Sequence, residues 1–433
     1  MANQSKSVEL FDAKAIAPFF ESKSLAVIGA STDPIKQGGR PVRYSLMSDY
    51  NGRVYPINPR ADEVQGAKAY ASLADVPGRV DCAFIALPAP AVEAAITDCA
   101  EKGVRAAVII SAGFAEVGPE GRRHQERITA IAREAGMSLV GPNCMGLMDI
   151  RRNFFPTFAP IFGFNGEARP KPGNISLVSQ SGAFGAHAYE LVRARGAGFS
   201  KWVTTGNQCD VEVSDFVAYM ADDKSTDVIM VYFEGNRDAD KLMAAFRKAR
   251  ENGKPVVLLK AGRSETGVKA AVSHTGSMAG SDAAFDGFCR QFDVHRADTV
   301  GELIDISVAA AAGKFPSRPR AGLVSISGGA GALMADYCDE LGLAVPPLPK
   351  PAQAKLMKLF PFGSALNPID PTALWGQDMS VLSASMETLL KEGGHDTVVL
   401  FGSTIGINEF NRVRFEEHII PLREKYPNPL MVL

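Results

Sequence analysis

One pattern constrains this chain more than any other: short apolar runs without polar alternation, each followed by a stretch of helical periodicity. In the first third the runs are Leu25–Ile28, Arg53–Ile57, Cys82–Ala86, Ala107–Ser111 and Ser138–Val140, separated by helical stretches such as Ala91–Lys102 and Arg122–Ala135. A strand that is apolar at every position must be covered on both faces, and strands spaced by helices pair in parallel. Right-handed crossovers then predict a doubly wound, Rossmann-like domain over residues 1–150.

A Pro- and Phe-rich stretch, Phe154–Gly173, interrupts the pattern. Its prolines deny a continuous helix, so it reads as a linker or an ordered loop. The alternation then resumes, with strands predicted at Asn174–Val178, Val228–Phe233 and Pro255–Lys260 and helices at Phe184–Ala194 and Ala239–Asn252. An Ala-rich helix, Leu303–Ala312, closes this second unit, 151–313, at Gly313. After a second linker, KFPSRPR at 314–320, a third unit over 314–433 opens with strand Ala321–Ser327 and helix Gly331–Leu341. Val398–Gly402 and Pro429–Leu433 read as further strands. A doubly wound unit rarely stops on a strand, so this unit is expected to be incomplete at its C-terminus, one piece of a longer polypeptide.

Composition narrows the class. Forty-six basic against 48 acidic side chains give a net charge of −2, which leaves no electrostatic footprint for nucleic acid or an anionic membrane. No apolar run reaches the roughly 18 residues of a membrane span, and the polar N-terminus lacks a signal-peptide core. Six scattered cysteines without a C-x-x-C pair argue against both a disulfide framework and a zinc site. The expectation is a cytoplasmic protein with no bound metal.

The first glycine turn is informative for what it lacks. Strand Ala26–Ile28 runs into Gly29-Ala30-Ser31, small residues that let backbone N–H groups approach a phosphate near a helix N-terminus. A dinucleotide fingerprint needs G-x-G-x-x-G and an acidic residue at the end of the next strand, which here reads Ile57-Asn58-Pro59-Arg60. The turn therefore suits a phosphorylated, nucleotide-like ligand and fits NAD poorly.

The order VIGAS, VYPINP, FIALPAPAV, VIISAGFAEVG, GPNCMGL resembles the CoA-binding domain of the nucleoside-diphosphate-forming acyl-CoA synthetases, relatives of the succinyl-CoA synthetase α subunit and of ADP-forming acetyl-CoA synthetase. The resemblance continues over almost the whole chain. It implies that the second and third units are flavodoxin-like, and that Gly29, Ala30, Ser31, Asn58, Pro59, Leu87, Pro88, Ser111 and Ala112 face CoA.

Of six histidines, His274 alone sits in a distinctive setting, Ser273-His274-Thr275-Gly276-Ser277-Met278-Ala279-Gly280-Ser281-Asp282. By itself this is a loop histidine among small residues. SHTGSMAGSDAAF is similar to the family's phosphohistidine loop, which implies that His274 carries a phosphoryl group between half-reactions. Neutral imidazole is nucleophilic near pH 7, and its second nitrogen needs an acceptor to fix the tautomer. Glu234, after strand VIMVYF, matches the family position with that role. Phosphohistidine also needs its charge met, and helix N-termini do this with free N–H groups. Two strand-to-helix turns suit the task and resemble the family's paired helices: Ser181-Gly182-Ala183 and Gly328-Gly329-Ala330.

The family handles ATP in an ATP-grasp module, and no such half is visible in the chain. CoA is thus the expected ligand here, with ATP/ADP and Mg2+ held by an ATP-grasp domain or partner subunit, in a homo- or hetero-oligomer. The implied reaction joins a carboxylic acid to CoA with ATP cleaved to ADP and phosphate. Gln180 in the S-Q-S-G turn, where a succinate enzyme is expected to place a basic residue, leans toward a monocarboxylic acid. Phe154, Phe155, Phe158, Phe162 and Phe164 either line a pocket for an aromatic acid such as a hydroxycinnamate or pin a linker down. Two other classes compete: a non-catalytic CoA-sensing module, which has no need of His274 and Glu234, and a nicotinamide-dependent oxidoreductase, disfavoured by the missing fingerprint.

Overall fold

The computed structural model describes residues 10–162, 169–235, 237–267, 282–392, 394–427 and 430–432. They form two compact units, Met1–Ala312 and Gly313–Leu433.

The first unit contains two sheets. Strands β1 (Ser24–Ile28), β2 (Arg53–Ile57), β3 (Cys82–Ile85), β4 (Ala106–Ile109) and β5 (Ser138–Val140) pair in parallel in the order β2-β1-β3-β4-β5. Every residue of β1, β3 and β4 is buried, as a sheet with helices on both faces requires. Helices α1 (Arg40–Met47), α2 (Ala89–Lys102) and α3 (Pro119–Glu134) supply that cover.

The second sheet has six strands: β6 (Leu147–Asp149), β7 (Pro172–Ser179), β8 (Phe199–Thr204), β9 (Val228–Phe233), β10 (Val256–Lys260) and β11 (Val294–Ala297). Their order is β11-β10-β9-β7-β8-β6, parallel except for the edge strand β6, which runs antiparallel to β8. Helices α4 (Gly182–Ala194), α5 (Val213–Asp222), α6 (Ala239–Glu251), α7 (Asp282–Gln291) and α8 (Val300–Ala311) complete it. Strands β6, β8 and β11 and helices α5 and α7 are additions to the sequence reading. In Phe199-Ser200-Lys201-Trp202 a buried lysine breaks the apolar run, and its Nζ donates a hydrogen bond to the Asp223 carboxylate at 2.7 Å.

One apolar cluster runs through both sheets, joining Phe19, Leu25 and Val27 to Val178, Val203 and Phe216. Phe19 and Phe20 meet Phe216 edge-on at ring separations of 6.1 and 5.9 Å. This shared core explains why the two sheets form one unit.

Residues 154–162 of the Phe-rich stretch form an ordered loop. Phe154 hydrogen-bonds back to Asp149 in both directions, and Phe154, Phe155 and Phe162 are fully buried. Burial of three rings offsets the missing helical hydrogen bonds.

The second unit carries β12 (Ala321–Ser325), β13 (Thr397–Phe401) and β14 (Leu430–Val432), parallel in that order. Helix α9 (Gly328–Glu340) follows β12, and helix α10 (Ser380–Glu392) packs against β12 and β13. No helix among the described residues is long and apolar enough to cross a membrane.

Candidate functional site

At the carboxyl edge of the first sheet, the chain turns at Gly29 with φ +86°. A Cβ there would stand 2.4 Å from the Ala86 carbonyl oxygen, so only glycine fits the crossing of the β1 and β3 loops. Asn58 Nδ2 donates to the Ala30 carbonyl at 2.9 Å, and Gln65 Nε2 donates to the Ser31 carbonyl at 3.1 Å. Ser111 Oγ donates to the Leu87 carbonyl. Gly29, Ala30, Ser31, Asn58, Pro59, Leu87, Pro88, Ser111 and Ala112 thus follow the ends of β1 to β4 along one edge, where open α/β sheets receive ligands.

A cleft of about 510 Å³ opens beside that edge within the first unit. It gathers Ser111 and Ala112 from the first sheet with Ser181, Gly182, Ala183 and Glu234 from the second. Gly29 to Ser31, Asn58, Pro59, Leu87 and Pro88 are outside its lining. Helix α4 begins at the cleft: Ser181 caps it by accepting from the Phe184 N–H at 3.3 Å. The remaining first-turn N–H groups and the positive end of the helix dipole make this a place for an anion.

Glu234 is only 8% exposed and sits where β9 ends. Its position is set by Gln180, itself 5% exposed. Gln180 Oε1 accepts from the backbone N–H groups of Glu234 at 2.5 Å and Gly235 at 3.1 Å, while Nε2 donates to the Gly235 carbonyl at 2.7 Å. The Gln180 amide is therefore a brace for the Glu234 turn, a role its place in the S-Q-S-G sequence does not announce.

Sequence reasoning missed most of the rest of the lining, including Asn143, Cys144, Met145, Asn207 and Arg237. The GPNCMG motif held a signal for the first three. Burial pushes the Cys144 thiol up to about 12, so it stays protonated and is a wall, not a nucleophile. Asn207 joins the two sheets: its N–H donates to the Pro142 carbonyl at 2.9 Å, and its side-chain amide donates to Glu116 and Gln125. Burial alone would raise the Glu116 carboxyl, but hydrogen bonds from Asn207 and the Gly113 and Phe114 N–H groups outweigh it and hold the pKa below its ordinary value.

Of the phenylalanines weighed as a pocket wall, Phe158 lines the cleft, whereas Phe154, Phe155 and Phe162 are core. Phe164 lies outside the described residues, as does His274 with the whole of 268–281. Gly328, Gly329 and Ala330 open helix α9 in the second unit, capped by Ser327. No group of His, Cys, Asp and Glu among the described residues is arranged to hold a metal ion.

Residues 23–149 match the CoA binding domain family, and residues 172–310 match the succinyl-CoA ligase like flavodoxin domain. The chain is 38% identical to the α subunit of acetate–CoA ligase (ADP-forming) II of Pyrococcus furiosus, over 82% of this chain and 76% of that one. It is 34% identical to a trans-feruloyl-CoA synthase of an unknown prokaryotic organism, over 90% of this chain and 55% of that protein. The chain spans about half the length of several curated relatives it matches. The fold superposes on an acetyl-coenzyme A synthetase of Candidatus Korarchaeum cryptofilum, described in complex with phosphate and ADP, with a TM-score of 0.84 and 30% identity, covering 97% of this chain and 88% of that one. The chain belongs to the ADP-forming acyl-CoA synthetases, acid–thiol ligases that join a carboxylic acid to CoA, and corresponds to their α-type part.

Proposed function

We propose that this chain supplies the CoA-binding and phosphoryl-carrying half of an acyl-CoA synthetase acting on a monocarboxylic acid. The observation that carries the reading is the cleft itself: Ser111 and Ala112, at the edge expected to face CoA, share it with the α4 N-terminus and Glu234. Acyl phosphate and thiol would then meet without diffusing through solvent.

In this reading the carboxylate takes a phosphoryl group from His274, and the CoA thiol displaces phosphate from the acyl carbon. Glu234 accepts a hydrogen bond from the second imidazole nitrogen and steadies the charge that develops. Ser181, Gly182 and Ala183 offer N–H groups to the phosphoryl oxygens, and Gly328, Gly329 and Ala330 in the second unit are a helix start of the same anion-ready kind. Gly29 to Ser31, Asn58, Pro59, Leu87 and Pro88 hold CoA along the strand ends. Ile110, Met145 and Phe158 give the acid's carbon chain an apolar wall. An ATP-grasp domain or subunit provides ATP and Mg2+ chemistry, in keeping with relatives named as α subunits. Six buried free cysteines support a reducing, cytoplasmic setting.

The test is the complete enzyme, chain plus ATP-grasp partner, given labelled ATP, CoA and a panel from acetate to ferulate. Acid-labile, base-stable phosphate on the chain and acyl-CoA formation are both expected. His274→Ala should abolish both. Glu234→Gln should slow turnover by roughly 30- to 1000-fold, the 2–4 kcal/mol worth of a positioned charge in a transition state, with CoA affinity unchanged. An alanine variant that still takes up phosphate and makes acyl-CoA sinks the mechanism and favours a CoA sensor.

A further inference from the structure

Among the described residues, two charged side chains line the cleft: Glu234 and Arg237. We propose, resting on the synthetase reading, that Arg237 is the residue that grips a substrate oxyanion in the cleft, the carboxylate of the acid or the phosphoryl group beside it.

Three observations carry this. The Arg237 guanidinium donates one hydrogen bond, Nη2 to the Asn207 carbonyl at 3.0 Å, and makes no ion pair among the described residues. A guanidinium has five N–H donors in a planar fork, so most of them have no hydrogen-bond partner among the described residues, while its charge also acts on the Glu212 carboxyl. Second, the anchor is rigid. Asn207 is held by Pro142, Glu116 and Gln125 at once, so an exposed arginine is aimed from a fixed point. Third, the charge balance requires a cation. A carboxylate and a phosphoryl group together bring two to three negative charges, while a helix N-terminus offers only about half a positive charge. Fork-shaped pairing of arginine suits both planar carboxylate and tetrahedral phosphoryl oxygens.

The experiment compares wild type, Arg237→Gln and Arg237→Lys in the complete enzyme. In the forward direction the KM for the best acid of the panel is measured, and in the reverse direction, with acyl-CoA and ADP, the KM for inorganic phosphate. Loss of a charge-assisted hydrogen bond predicts that Arg237→Gln raises at least one of these about 10- to 100-fold while the KM for CoA moves less than about twofold. Arg237→Lys, which keeps the charge but not the planar fork, should recover part of the loss and stay weaker than wild type. A rise confined to the acid identifies the carboxylate as the bound oxyanion; a rise confined to phosphate identifies the phosphoryl group. If both KM values stay within about twofold while the unfolding midpoint falls, Arg237 only pins the Asn207 carbonyl and the proposal is wrong. A wild-type enzyme that makes no acyl-CoA would instead overturn the synthetase reading, and the proposal with it.

Discussion

The turns at 179–185 and 325–331 are two copies of one device built for different neighbours. Each reads Ser-x-Ser-Gly-x-x-Gly. In each, the first serine Oγ donates to the second serine carbonyl at 2.6 Å, and the second serine caps the helix. The residue between them donates its N–H to the adjacent strand, Gln180 to Tyr232 and Ile326 to Phe401. The difference is at that middle position. Gln180 is buried and braces the turn carrying Glu234, whereas Ile326 is half-buried and packs against apolar neighbours. The lesson is that the same capped turn takes on a second task, holding the Glu234 turn in place, only where its middle side chain reaches a neighbouring strand end.

The largest effect that separates the two is at this middle residue. Gln180→Leu strands two buried N–H groups, those of Glu234 and Gly235, and should cost about 2–4 kcal/mol of stability together with most of the turnover. Ile326→Gln should stay within about 1 kcal/mol. Denaturant midpoints and acyl-CoA assays on the two variants check this, and equal effects would dissolve the distinction.

The final glycines give a smaller contrast. A Cβ at Gly185 would stand 2.9 Å from Thr204 Cγ2 and 3.1 Å from Trp202 Cζ2, whereas at Gly331 the nearest atoms, Ser325 Cβ and Pro368 Cβ, are 3.4 Å away. Gly185→Ala should therefore destabilise by about 1–3 kcal/mol through overpacking.

Acid should also strain the first unit more. Burial raises the Asp223 carboxyl, but hydrogen bonds from Lys201, Ser225 and Thr226 more than offset this and hold it at about 2. A carboxyl depressed in the folded state stabilises above its unfolded pKa and loses that contribution as pH falls through the folded value. About 1–2 kcal/mol should thus disappear between pH 4 and 2, and Asp223→Asn should flatten that slope. In the second unit the depressed Glu387 carboxyl pairs with Lys425 at the surface, where solvent screens the gain. Melting curves across this pH range measure both.

Smallest of all, Gly331→Ala should be neutral or stabilising by up to about 1 kcal/mol, since alanine favours a helix interior and the space is there. A clear loss of stability in a thermal melt would mean that the second turn is packed as tightly as the first.

Much of this was legible from residues alone. Uninterrupted apolar runs such as Cys82–Ile85 have one stable use, a two-sided parallel sheet, so strand positions and doubly wound topology followed from the burial demand. Ser-x-Ser-Gly before a helical stretch is local chemistry, a cap and an N-terminus, and needs no distant partner to be read. Local pattern did not reveal β8, because the Lys201 that interrupts it is paid for by Asp223 and Asp149, residues remote in sequence. Nor did it show that the phenylalanines at 154, 155 and 162 go to the core while Phe158 faces the cleft, since a loop without periodicity has no inside or outside of its own. What the sequence by itself determined was therefore most of the elements, their covered faces and the anion-ready turns, all governed by contacts within a few residues. Which groups share a cleft was decided only by tertiary structure. Asn207 bridging two sheets, Gln180 holding Glu234 and Arg237 aimed from Asn207 depend on hydrogen bonds between residues tens of positions apart, and no local preference encodes those meetings.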